Sequence, residues 1–189
     1  MPFDPNKHHR RSVRLSGYDY AQDGAYFVTV CTARRDCLFG QITNNGEMIL
    51  NTLGCVVEDN WFKSANIRKE IILDAFVVMP NHIHGIVIII GEPPVEVRDL
   101  RAHSRAPLPQ SNTLFRRPRS LGSFIAGFKS VATTQINQIR DTPYTPVWQR
   151  SFYDTIIWNQ TMLDGIRTYI ENNPTNWASD QENPTFDKQ

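Results

Sequence analysis

The chain has little sulfur chemistry and no long apolar run. Its three cysteines, Cys31, Cys37 and Cys55, show no Cys-x-x-Cys spacing and are odd in number. That pattern excludes a disulfide framework and a zinc knuckle and fits reduced cytosolic thiols. The longest uninterrupted aliphatic run is Ile86–Ile90, far short of the ~20 residues a membrane helix requires. No apolar stretch of signal-peptide type stands near the N-terminus, so the expected setting is the cytoplasm, with no membrane partner. No internal repeat or heptad is visible. Global charge is also nearly absent, at +1, which hides a local imbalance.

The charge that is present is unevenly placed. Residues 98–119 hold Arg98, Arg101, Arg105, Arg116, Arg117 and Arg119 against Asp99 alone, and the N-terminus holds Lys7, Arg10, Arg11 and Arg14 with His8 and His9. Clustered guanidinium groups in loop-like sequence fit phosphate geometry, although a solvated loop has the same composition. The C-terminal end is mildly acidic, with Asp180, Glu182 and Asp187.

A length of 189 residues with 40% apolar content suits one domain with a real core. The pattern divides into a basic arm (1–20), a folded body (21–177) and a polar tail (178–189). Within the body, Ala25–Thr32 reads as a strand, Asn44-Asn45-Gly46 as a turn, and Glu47–Asn51 as a short strand. Leu53, Val57 and Trp61 recur every four residues in a helix from about 52 to 68, which Gly54 weakens near its start. Ile71–Met79 and His82–Ile90 form a hairpin about Pro80-Asn81, and both strands are apolar on both faces, which predicts central places in the sheet. Residues 91–119 contain five of the twelve prolines and make a long loop. Leu121–Arg140 carries the clearest 3.6-residue period, Val147–Trp158 reads as a strand, and Thr161–Asn172 as a last helix with Thr161 and Asp164 as a capping box. The order is βαββαβ with an extra C-terminal helix. That is the ferredoxin-like, α+β plan: an antiparallel sheet with two helices on one face and the last helix over part of the other.

Two groups of residues carry possible chemistry. His82 and His84 stand two apart at the start of a strand, so both side chains face one side. Imidazole pairs ligate divalent metals, and two partly exposed hairpin histidines give the same pattern. On the last helix Met162, Leu163, Ile166, Tyr169, Ile170 and Asn173 fall on one stripe. Tyr169 there reads by default as a core tyrosine, and Asn173 as a helix-terminal asparagine. A carboxamide on an inward stripe needs partners, because burying it unpaired costs about 1–3 kcal/mol. A hydroxyl and an amide one turn apart, both facing a histidine pair, would set a nucleophile beside a third metal ligand.

Several blocks in order make the chain resemble the REP-associated tyrosine transposases of the HUH (His, hydrophobic residue, His) single-tyrosine superfamily. They are Arg10–Leu15 with Gly17–Tyr20, Gly24–Thr29, Met79–His84, Phe124 to Lys129-Ser130, Val147–Phe152 and Tyr169–Pro174, spanning roughly residues 10–177. The resemblance implies the ferredoxin-like fold, a metal held by His82 and His84, Tyr169 as nucleophile on the last helix, and Asn173 as a third ligand. It implies Mg²⁺ or Mn²⁺ as cofactor and cleavage of single-stranded DNA near hairpins, with strand transfer through a 5′-phosphotyrosine. The basic arm, with Arg10, Arg11 and Arg14, is then expected on DNA, and Lys129 is a further candidate for a phosphate. Tyr18 and Tyr20 either stack on bases or pack the arm onto the body. One departure stands out: many relatives carry histidine where this chain has Thr155. Tyr153 is the alternative nucleophile. The competing readings are a catalytically silent DNA-hairpin-binding protein, a tyrosine-independent metal nuclease and an RNA-binding ferredoxin-like domain. Monomer and homodimer both remain open.

Overall fold

A computed structural model describes residues 17–91 and 119–185. Arg10, Arg11, Arg14 and all of the Arg/Pro-rich loop except Gly91 and Arg119 lie outside the described residues. The elements are β1 (Gly24–Cys31), β2 (Gly40–Ile42), β3 (Met48–Leu50), α1 (Thr52–Asn66), β4 (Ile71–Val78), β5 (His82–Ile89), α2 (Leu121–Ile139), β6 (Tyr153–Ile157) and α3 (Gln160–Asn172), followed by a short 3-10 helix, Trp177–Ser179. The main sheet runs β4-β5-β1-β6 with every neighbouring pair antiparallel. β5 lies between β1 and β4, the split βαβ arrangement expected of a ferredoxin-like chain. β2 and β3 form a separate hairpin. Among the described residues, no helix is long and apolar enough to cross a membrane.

Strand parity assigns the two faces. Tyr26, Val28 and Val30 of β1 and Ile83, Val87 and Ile89 of β5 meet Val57 and Trp61 of α1 and Phe124, Phe128 and Ile136 of α2 in the main core. The opposite parity, Phe27 of β1 with Ile86 and Ile88 of β5, meets Met162, Leu163, Ile166 and Ile170 of α3. Helices therefore cover both faces, and α3 packs on the one that carries His82 and His84.

Trp61 is the pivot of the main core. It stacks on Phe76 at 4.8 Å and meets Phe124 and Phe128 edge-on at 5.4 and 5.2 Å. Its ring fills the space over Gly85, where an added Cβ would come within 2.6 Å of Trp61 Cζ2. Gly85 is thus required between the histidine pair and the aliphatic end of β5. Gly85→Ala is expected to destabilise the protein by about 1–3 kcal/mol through overpacking, read as a lower urea midpoint at unchanged slope.

Gly54 has a similar reason: a Cβ there would collide with the Phe39 carbonyl. The helix then begins two residues earlier at Thr52, capped by Asn51, whose side chain accepts from the Leu53 and Gly54 N–H groups.

Three expectations need correction. β4 is an edge strand and only β5 of the predicted hairpin is central. Its apolarity reflects cover on both faces, by α1 and by α3, and a register shift between Leu73 and Phe76 marks a bulge at this edge. There Asp74 holds Arg167 of α3 in a two-pronged pair at 2.6 and 2.9 Å. Second, the strand predicted over 147–158 narrows to β6. Trp148 makes an isolated bridge to Thr32, and Lys129 Nζ donates to the Gln149 and Arg150 carbonyls at 2.5 and 3.2 Å, which engages those carbonyls outside the sheet ladder. Third, α3 is capped by Asn159, whose side chain accepts from the Met162 N–H, and not by Thr161. Asp164 instead pairs with Arg167 at 3.0 Å.

Candidate metal and tyrosine site

Asn81 closes the β4–β5 turn, so β5 begins at the two histidines, and both project toward α3. Their Nε2 atoms lie 3.0 Å apart. His82 Nδ1 lies 2.8 Å from Asn81 Oδ1, and His84 Nδ1 lies 2.8 Å from Thr29 Oγ1, directly across the β1–β5 ladder. Phe27 stacks on the His84 ring at 5.2 Å. Both imidazoles are buried. Burial pushes the His82 pKa down to about 4, with the Asp180 carboxylate opposing that fall, and lowers His84 well below the ordinary value, helped by the neighbouring His82. Both rings are therefore neutral at pH 7, each with a nitrogen lone pair to offer a metal.

α3 brings the tyrosine. Its stripe of Met162, Ile166 and Ile170 seats the helix on the sheet, which sets Tyr169 Oη 3.4 Å from His84 Nε2. The Tyr169 ring meets Phe27 and His84 edge-on at 5.9 and 5.3 Å. Tyr169 stays 47% exposed and lines the cavity beside the histidines. Its pKa is raised by partial burial, then by the Asp180 and Glu182 carboxylates, while a hydrogen bond from the Asn173 side chain pulls the other way. Asn173, one turn on, is buried, and its Oδ1 has no hydrogen-bond partner among the described residues.

The chain after α3 supplies a residue that the sequence reading did not single out. Residues 178–185, read as part of a polar tail, fold back across the site. Asp180 Oδ2 comes within 3.8 Å of His82 Nε2, is buried and has no hydrogen-bond partner among the described residues. Ligand atoms of His82, His84 and Asp180 all lie within 4.8 Å of one another. His82, His84 and Asp180 thus bring two imidazole nitrogens and an orphaned buried oxygen, Asp180 Oδ2, to one place, and the orphaned Asn173 Oδ1 belongs to a residue that lines the same cavity as His84 and Asp180. Leaving such oxygens unpaired is costly, and a divalent cation would satisfy them, so these donors fit a metal. Nothing in the local sequence of Asp180 distinguishes it from a solvated tail aspartate; its partners are about a hundred residues away.

A cavity of about 700 Å³ opens beside the cluster, lined by Phe27, Thr29, His84, Tyr153, Tyr169, Asn173 and Asp180 among others. Tyr153 reaches it because β6 pairs Tyr153 with Thr29. Thr155 pairs with Phe27 on that same face, next to the ring that stacks on His84. Lys129 is placed elsewhere: it lines a separate cavity of about 1090 Å³ between α2 and residues 146–152, with its ammonium on two carbonyls. Tyr20 is buried in the main core and Tyr18 packs against it at 4.9 Å, which is the packing alternative for these two residues.

No family model matches the chain. Over 180 residues it is 37% identical to an uncharacterized protein of Haemophilus influenzae, covering 92% of this chain and 93% of that one. The two proteins belong to one family. Among solved structures, the REP-associated tyrosine transposase bound to a REP hairpin is similar in fold, with a TM-score of 0.55 at 20% identity over 86% of this chain and 74% of that one. The mixed α and β architecture, with its four-stranded antiparallel sheet, is thus a transposase-like fold.

Proposed function

We propose that this protein is a metal-dependent single-stranded DNA endonuclease and strand transferase that acts at DNA hairpins, with Tyr169 as its nucleophile. The observation that carries the reading is the Tyr169 hydroxyl, 3.4 Å from His84 Nε2 on a half-exposed residue, at the rim of a largely buried His–His–Asp cluster. His82, His84 and Asp180 would hold the cation, with Asn173 supplying a further oxygen. Two imidazoles beside a carboxylate suit Mn²⁺ better than Mg²⁺. When bound, the cation supplies a Lewis acid that polarises a phosphate and offsets its developing charge.

The remaining steps belong to the chain. Tyr169 Oη attacks phosphorus while its proton leaves to solvent on the open side of the cavity. The P–O3′ bond breaks, and the freed 3′ oxygen takes up a proton. The 5′-phosphotyrosine retains a phosphodiester linkage, so a second 3′-hydroxyl can displace the tyrosine and transfer the strand. Burial and nearby carboxylates raise the Tyr169 pKa, so an added positive charge beside it is what this nucleophile lacks. The basic arm with Arg10, Arg11 and Arg14 is the expected DNA contact.

The test is covalent capture on a denaturing gel. End-labelled hairpins from DNA flanking the gene are mixed with the protein and Mn²⁺ or Mg²⁺, and the adduct is mapped to its peptide. A metal-dependent adduct on Tyr169 is the expected result. Tight hairpin binding with neither cleavage nor adduct would replace this reading with that of a catalytically silent hairpin-binding protein.

A further inference from the structure

Asn81 sits where three parts of the site meet. Its side chain is fully buried. Nδ2 donates to the Arg35 carbonyl at 3.1 Å and to the Glu182 carbonyl at 2.6 Å. Both amide hydrogens are then committed to oxygens that can only accept. The remaining atom, Oδ1, is itself an acceptor, and it lies 2.8 Å from His82 Nδ1. His82 must therefore carry its proton on Nδ1, which leaves the Nε2 lone pair aimed at His84 and Asp180. His84 is not constrained in this way, because the Thr29 hydroxyl opposite its Nδ1 can either donate or accept.

The Glu182 carbonyl belongs to the segment that carries Asp180. Arg35 also grips this segment, through Nη1 to the Gln181 carbonyl at 3.3 Å and through Nε to Glu182 Oε2 at 3.2 Å. Of these ties, only the one from Asn81 also touches a histidine of the cluster. We infer that Asn81 is a positioning residue for the metal site: one amide fixes the His82 tautomer and anchors the segment that delivers Asp180. The inference rests on the metal-binding part of the proposed function. The chemistry demands an amide. Aspartate would turn both donors into acceptors facing two carbonyls, and serine is too short to bridge the three partners. Outer partners of this kind typically change metal affinity by 10- to 100-fold.

The test uses the full chain with ¹⁵N-labelled histidine. Without metal, imidazole nitrogen shifts should report His82 protonated on Nδ1 in the wild type. An Nε2-protonated His82 there overturns the inference, and that measurement needs no variant to fold. In Asn81→Ala, the expected result is a mixed His82 tautomer and faster amide hydrogen exchange over 180–183. Mn²⁺ affinity, followed by loss of the free-ion EPR signal, should fall 10- to 100-fold. Mn²⁺ affinity within twofold of wild type overturns the inference, even if the variant is less stable. A wild type that binds no Mn²⁺ overturns the metal reading itself; a wild type that binds Mn²⁺ while Asn81→Ala leaves the His82 tautomer unchanged overturns only the role of Asn81.

Discussion

Tyr169→Phe is expected to remove covalent capture of DNA by on the order of 10³-fold or more, as loss of a nucleophile generally does. Mn²⁺ binding and stability should be almost unchanged. The hydroxyl makes a long 3.4 Å contact to His84, and the phenylalanine ring keeps the edge-on contacts with Phe27 and His84. Tyr169 is half exposed, so the change in stability should stay within about 0.5 kcal/mol. Tyr153→Phe is the necessary companion, because Tyr153 lines the same cavity from β6. It has no cluster oxygen one helical turn away, whereas Tyr169 has Asn173, so the adduct should survive this change. Loss with Tyr153→Phe alone would move the nucleophile to β6. Metal-dependent cleavage that persists in Tyr169→Phe would instead point to a tyrosine-independent nuclease.

What was legible in the sequence follows from how local each signal is. The period-2 placement of His82 and His84 and the 3.6-residue stripe through Ile166, Tyr169 and Ile170 are properties of single elements, and both survive in the fold. The placement of β4 is not legible in the sequence, because an apolar strand covered on both faces looks the same whether it lies inside the sheet or at its edge. Periodicity reports faces and says nothing of neighbours in the hydrogen-bonding direction. The stretch 147–152 is illegible for a related reason. Its residues have strand propensity, but the Lys129 ammonium, twenty positions earlier, holds the carbonyls at 149 and 150.

The site was less legible than the fold. Asn173 drew attention because an amide on an apolar stripe is locally anomalous. Asp180 follows a helix stop in a polar segment and looks like solvated sequence; only the return of 180–183 over Asn81 and Arg35 makes it a neighbour of His82. Asn81 is half of the Pro-Asn reversal that the sequence predicts. Its second role depends on two carbonyls, from Arg35 and Glu182, that no local pattern joins.

Acidification should destabilise the metal-stripped protein well before its carboxylates titrate. His82 is fully buried and its pKa is held down at about 4 in the fold, against about 6.5 in an unfolded chain. Above pH 6.5 both states are neutral and the ring contributes nothing to the pH dependence. Below it the unfolded chain takes up a proton that the fold refuses, so stability falls with falling pH until the folded ring itself titrates near pH 4. The whole interval corresponds to roughly 3 kcal/mol for His82, of which about 2 kcal/mol is lost by pH 5. His84, depressed in the same direction, steepens the loss. Asp74, whose carboxyl the Arg167 guanidinium keeps below its ordinary value, begins to contribute only at lower pH. Urea unfolding in EDTA at pH 7, 6 and 5 should show this decline, and His82→Gln should flatten it. Equal stability at pH 7 and pH 5 would mean that the two rings are not held neutral, and the cluster would then be a charged surface pair instead of a preset metal site.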